Sequence, residues 1–253
     1  MASALASHCV REDDRVIVDL GAGTGINTLS ILNKMNPEAQ LWSVDPSEAM
    51  LSRARSRVQD PRVSWLVGDS GVLHDLKGKG WVDSFLANAS VWMDADANLL
   101  FSRVAEMLNS GGIMGCTIPA EYLGEIHHLL TPEARAFSEV LDGIRRAAKS
   151  KQERSPTQEV QEELCGGNFP TSSVELKELL EELGFGGVSL YREETIVTAE
   201  DRARWYALPP ILAAWIPDAS EAVRAAAVRE LFARTRVLPP LRMVWLAFWA
   251  WKK

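Results

Sequence analysis

The stretch 15–25, RVIVDLGAGTG, decides the fold of this chain. Its first part, 15–20 (RVIVDL), is a short β-branched run, the pattern of a parallel strand buried on both faces. It runs without a spacer into Gly21-Ala22-Gly23-Thr24-Gly25. An apolar set at helical spacing follows, Ile26, Leu29, Ile31, Leu32 and Met35, which Asn36-Pro37 ends. Strand, glycine-rich turn and helix in this order make a unit whose turn lies at the carboxyl edge of a sheet, where α/β folds bind ligands.

The alternation continues downstream. A second strand, 41–45 (LWSVD), ends at Asp45. A helix over 46–58 follows, with Pro46 suited to its first position and Met50, Leu51, Ala54 and Val58 on one face. A third strand, 63–69 (VSWLVGD), ends at Gly68-Asp69, and Ser70 and a polar loop holding His74 come next. The fourth strand is 83–89 (DSFLANA). A helix over 97–108 closes at Asn109-Ser110-Gly111-Gly112, and a fifth strand covers 112–119. Strands alternating with helices predict a mostly parallel, Rossmann-like sheet with helices on both faces.

After Pro119 the pattern changes. Residues 120–170 carry no strand signal, and a helix begins at Thr131-Pro132, so this segment reads as a helical cap inserted after strand five. A helix over 174–183, a sixth strand from about Gly187, and a proline-broken helical stretch over 199–235 follow. The terminal LRMVWLAFWAWKK reads as a seventh strand buried on both faces. It is too short to span a bilayer as a helix. The expected organisation is a single domain, 1–253, with its core at about 10–119 and 171–253.

A glycine-rich turn alone serves several cofactors. Here the turn is G-A-G-T-G with Asp19 inside the preceding strand, and it lacks the G-x-G-x-x-G spacing of a dinucleotide site. The run VIVDLGAGTG resembles the first motif of class I methyltransferases that use S-adenosylmethionine (SAM). The resemblance covers residues 15–119 in detail and the last two strands more loosely. It implies a seven-stranded sheet whose last strand is antiparallel. It also implies that Asp19, Gly21, Ala22, Gly23 and Gly25 cradle the amino-acid part and ribose of SAM, with Asp19 orienting the turn. Asp45, with Pro46 and Met50 beside it, falls where the family binds the ribose. Gly68, Asp69 and Ser70 fall where it binds the adenine. Asn88 and Ala89, in NASVW, fall where the sheet edge meets sulfur and acceptor. The residues themselves leave a second reading open for two of these: Asp45 as cap of the next helix with Glu48 as its partner, and Asp69 as a turn aspartate.

The resemblance implies methyl transfer to a small molecule on oxygen, nitrogen or carbon. A general base among Glu121, Tyr122, His127 and His128 would take the proton of an oxygen or nitrogen nucleophile. Trp92, Tyr122 and Trp205 are the candidate acceptor walls, which suggests an apolar or aromatic acceptor. Asp94 and Asp96 either position an acceptor or cap the next helix. Two other readings stay open: a SAM-binding protein on this fold that does not methylate (a pericyclase, an isomerase or a regulatory subunit), and a protein or RNA methyltransferase.

Composition narrows these. The net charge is −7 over 253 residues, which argues against nucleic acid as a partner, since phosphate contacts call for a basic face. Cys9, Cys116 and Cys165 form no metal spacing and no disulfide framework, so reduced thiols in the cytoplasm and no metal are expected. No apolar run of membrane-spanning length and no secretion signal occur, and a homodimer is compatible. Fifteen residues precede Val16. One helix over 2–9 is the most that fits there, whereas many small-molecule members carry further helices that close over SAM. The site is therefore open, or closed by a partner subunit, or the natural start lies before Met1.

Overall fold

The computed structural model describes residues 1–94, 96–124, 131–150 and 169–253. Their backbone forms a seven-stranded sheet of order β3-β2-β1-β4-β5-β7-β6. The strands are β1 (Val16–Leu20), β2 (Gln40–Asp45), β3 (Val63–Val67), β4 (Val82–Asn88), β5 (Leu108–Pro119), β6 (Phe185–Val197) and β7 (Leu241–Lys252). Strands β1 to β5 pair in parallel with one another, and β7 runs antiparallel to β5 from Pro119↔Trp245 to Ile113↔Trp251. The strand order reverses at β1, which has β2 on one side and β4 on the other, so a crevice opens at their carboxyl ends.

The chain divides into two compact units. The first takes the described residues of Met1–Gly124, Cys165–Glu193 and Trp245–Lys253, and the second those of Glu125–Leu164 and Glu194–Val244. In the first unit the helices are α1 (Ala2–Cys9), α2 (Ile26–Leu32), α3 (Glu48–Arg57), α4 (Ser70–Lys77), α5 (Ala97–Met107) and α7 (Ser173–Glu182). Alternation along the strands assigns the faces. Ile17 and Leu86 pack with Leu5, Cys9 and Ile31 of α1 and α2. Phe248 points the other way and meets Phe101 of α5 edge to face, centroids 6.2 Å apart. Helix α1 is thus committed to the sheet: Leu5, Ala6 and Cys9 are buried, and His8 stacks on Trp249 at 4.5 Å.

The second unit gathers α6 (Pro132–Ser150), α8 (Ala199–Tyr206), α9 (Pro209–Trp215) and α10 (Glu221–Thr235). Phe137, Leu141 and Ile144 of α6 share its core with Ala203, Trp215 and Leu231. The pattern of α6 follows from its start at Thr131-Pro132, where the Thr131 hydroxyl accepts from the Ala134 N–H.

Four local expectations are corrected. Ser70–Lys77 is a helix and not a loop, because Asp69 caps it by accepting from the N–H groups of Gly71 and Val72. The helix after β2 begins at Glu48 and not Pro46, and Ser47 is its cap, accepting from the Met50 N–H. Residues 109–112 do not stop a helix; α5 ends at Met107 and β5 starts at Leu108. Strand β6 starts at Phe185, two residues before Gly187.

Candidate active site at the carboxyl edge

Every strand of the parallel set delivers a candidate residue to the same edge. The turn 21–25 follows β1, Asp45 ends β2, Gly68 and Asp69 follow β3, Asn88 ends β4, and Glu121 and Tyr122 lie on the short 3-10 turn Ala120–Leu123 after β5. Parallel strands alone produce this convergence, because all their carboxyl ends face one way.

The turn is held from three sides. Gly21 and Ala22 donate their N–H groups to the Val44 carbonyl, at 2.8 and 3.0 Å. The Gly23 N–H donates to Asp45 Oδ2 at 2.8 Å. Ser90, in the turn after β4, donates its hydroxyl to the Leu20 carbonyl at 2.9 Å. Two glycines are required by this arrangement. Gly21 has φ +74°, and a Cβ there would stand 2.3 Å from Ser90 Cβ. Gly23 has φ +54°, and a Cβ there would meet only the Gly21 carbonyl at 3.9 Å. The space beside Gly23 is therefore open, and its backbone lies bare at the crevice.

Asp19 lies beneath the turn. Its side chain is fully buried, with Oδ1 accepting from Asn27 Nδ2 and Oδ2 from the Thr28 hydroxyl, both at 2.6 Å. Burial pushes its carboxyl up to about 6; the Thr28 and Asn27 bonds pull it back, and the charge of Asp45 adds to the rise. Asp19 thus fixes the first turn of α2 from below and presents no oxygen to the crevice.

Asp45 is largely buried and bridges two elements. Oδ2 holds Gly23 and Oδ1 accepts from the Ser47 N–H at 2.9 Å. It does not cap α3 with Glu48, since Ser47 has that position. A carboxylate accepts up to about four hydrogen bonds, so Asp45 retains acceptor capacity beside the open turn. Asp69 is exposed and uses Oδ1 for both bonds to α4. Ser70 Oγ is fully buried and makes no hydrogen bond with a described residue. A buried hydroxyl left in that state is uncommon and marks a place where a partner is expected.

At β4, Asn88 Oδ1 accepts from the Thr117 hydroxyl at 2.9 Å, and Thr117 Oγ1 accepts from the Ala89 N–H at 3.0 Å. Ala89 has φ +59°, a left-handed conformation that a residue with a Cβ adopts at a cost of about 1–2 kcal/mol. Trp92 follows on the short 3-10 turn Val91–Met93 and is 1% exposed. It stacks on Tyr122 with centroids 5.3 Å apart, and Trp245 meets it edge to face at 6.3 Å. The half-buried rings at this edge are thus Tyr122 and Trp245, with Trp92 behind them.

The remaining candidates separate. Asp96 caps α5 by accepting from the Leu99 N–H. Asp94 is raised above the usual carboxylate range, by burial first; the Asp96 N–H lowers it, Asp69 raises it, and Arg103 lowers it. His74 sits on α4 and pairs with Glu106 of α5 at 2.8 Å. Trp205 lies on α8 in the second unit. His127 and His128 lie outside the described residues. Sequence reasoning missed Asn27, Thr28, Ser90, Thr117 and Trp245. The first two sit where a helix should bury apolar residues on the sheet, which was a usable signal. Thr117 and Trp245 gave none, because their roles come from strand register, and Ser90 stood inside NASVW without a role of its own.

This sheet order, with its antiparallel seventh strand and its loaded carboxyl edge, defines the Rossmann-like methyltransferase class. Residues 17–112 match the family model described as a methyltransferase domain; the chain carries a class I SAM-dependent methyltransferase domain. It is similar to the trans-aconitate 2-methyltransferase of Deinococcus radiodurans, 33% identical over 130 residues, which cover 51% of this chain and 48% of that protein. The enzyme of the same name from Acidovorax sp. (strain JS42) is 35% identical over 138 residues, covering 54% and 50%. The chain spans about half the length of the curated relatives it matches. Among solved structures, the YcgJ protein of Bacillus subtilis shares the fold with a TM-score of 0.61 at 13% identity, covering 100% of this chain and 97% of that one.

Proposed function

We propose that this protein transfers the methyl group of SAM to a small-molecule acceptor, apolar or aromatic in character, on oxygen, nitrogen or carbon. The observation that carries this reading is the open turn at Gly23, held by Asp45 and flanked on the same edge by Asp69, Ser70 and Asn88. These residues fit SAM. The Gly23 backbone accommodates close approach, Asp45 has acceptor capacity for two ribose hydroxyls, and the second oxygen of Asp69 suits the adenine, while Ser70, whose hydroxyl is buried, stays in the proposal on the sequence alone.

SAM, when bound, supplies a methyl group on a cationic sulfur, which leaves without help. The work of the protein is then to hold the acceptor in line and close to the methyl. The Asn88–Thr117–Ala89 bonds fix the backbone between β4 and β5 where the acceptor would meet the cofactor. Glu121 and Tyr122, beside that point, are the described groups placed to receive or direct an acceptor proton. His127 and His128 stay in this proposal on the sequence alone, as does Trp205 as an acceptor wall. No helix among the described residues is long and apolar enough to cross a membrane.

Incubating the protein with SAM and small-molecule cell extract fractions tests the reading. S-adenosylhomocysteine should accumulate with an active fraction and mass spectrometry should find a product heavier by one methylene. Tight SAM binding with no S-adenosylhomocysteine formed with any fraction would instead favour a SAM-binding protein that does not methylate.

A further inference from the structure

The carboxyl edge of the first unit combines aromatic rings with carboxylates. Tyr122 and Trp245 are the half-buried rings, both in contact with the buried Trp92. Trp245 is brought there by its register opposite Pro119 at the last β5–β7 pair. Two acidic groups flank these rings in the chain, Asp94 two residues past Trp92 and Glu121 next to Tyr122.

Resting on the methyl-transfer reading, we infer that the acceptor is a planar aromatic molecule bearing an amine, seated against Tyr122 and Trp245, and not a polycarboxylate. Aromatic faces carry negative quadrupole charge and attract an ammonium or a guanidinium placed over them. Carboxylates along the same edge add to that attraction and repel an anion, which is how a site rejects the wrong ligand as well as holding the right one. The curated relatives are named for trans-aconitate, a tricarboxylate, so the inference separates this chain from them in acceptor charge. Trp245 and Tyr122 become specificity-determining residues, and Trp92 is the buried base that sets their angle.

The test uses the full chain loaded with S-adenosylhomocysteine, titrated by calorimetry with three probes: tryptamine, indole-3-propionate and trans-aconitate. The first two share a ring system and differ in the sign of charge. Tryptamine should bind about tenfold or more tightly than indole-3-propionate, a difference of the size such contacts give, and trans-aconitate should not bind. Tyr122→Ala should weaken tryptamine about tenfold, and Tyr122→Phe should restore it by returning the ring; melting curves verify that both variants fold. Equal affinity for all three probes, preference for either anion, or no binding of tryptamine would overturn the inference while leaving the cofactor reading intact. Failure of S-adenosylhomocysteine itself to bind would overturn the cofactor reading, and the inference with it.

Discussion

The two edges of the parallel sheet are built from similar residues and behave oppositely. At the amino edge, Asp14 is fully buried and closed on every side. The Arg11 guanidinium lies 3.0 Å from its Oδ1, and Ser84 donates to Oδ2 at 2.6 Å. Asp83 nearby would be raised by burial, but the N–H groups of Arg15 and Val16 and the Asn109 amide hold it below the usual carboxylate range. At the carboxyl edge, Asp19 and Asp94 are pushed up instead, and Asp45 holds a glycine turn by accepting from the backbone N–H groups of Gly23 and Ser47. The amino edge satisfies its charges and so fastens the fold. The carboxyl edge leaves charge and capacity over, and carries strained backbone at Ala89. Such strain persists only where the surroundings impose it, and it gathers at functional sites.

The comparison predicts where substitutions will hurt, and in what respect. The largest effect is expected from Gly21→Ala. A Cβ at φ +74° would lie 2.3 Å from Ser90 Cβ, so the turn after β4 must move. Unfolding in denaturant should show a loss of about 2–4 kcal/mol, and cofactor affinity should fall with it. Next comes Asp14→Ala, which removes the buried acceptor of the Arg11 N–H and guanidinium and of Ser84, while Ser84 keeps the Cys9 carbonyl and Arg11 the Gly111 carbonyl. It should cost about 2–3 kcal/mol of stability and leave cofactor affinity as it was, since it acts on the other edge.

A smaller effect separates the two edges by pH. The native Asp19 carboxyl sits at about 6 against an ordinary 3.8. Between these values the folded state holds a proton that the unfolded state lacks, so this group's contribution falls as pH rises from about 4 to 6 and is level above that. Relative to Asp19→Asn, the wild type should lose on the order of 2 kcal/mol of stability across that window. Parallel urea titrations at several pH values check this, and a difference that grows in the opposite direction would mean that Asp19 is stabilised as an anion. Asp83, whose folded value is depressed, works the other way: its contribution is present above the unfolded value and is lost as pH falls through the folded one.

Most of the sheet could be read from the residues. The β-branched runs, the glycine turn and the helix patterns placed five strands in order, and the antiparallel seventh strand came from the family resemblance. What the sequence obscured lay mainly at element ends. The helix Ser70–Lys77 was hidden because its short polar stretch resembles a loop, and its cap, Asp69, had already been given another task. Asp45 was ambiguous for a similar reason: Asp45 and Ser47 can both cap a helix, and only the chain's path shows that Ser47 does so. Which candidates reach the carboxyl edge was legible wherever a residue sits at a strand end. It was illegible at Trp245 and Thr117, whose places depend on which strands pair and in which register.

The central claim is that the carboxyl edge binds SAM through the turn that Asp45 holds, while the amino edge serves only the fold. Calorimetric titration of SAM into the wild type, Asp45→Ala and Asp14→Ala tests it in one experiment. The wild type and Asp14→Ala should bind alike, and Asp45→Ala should lose on the order of tenfold to a hundredfold in affinity while remaining folded. Equal binding by all three proteins, or a loss confined to Asp14→Ala, would contradict it.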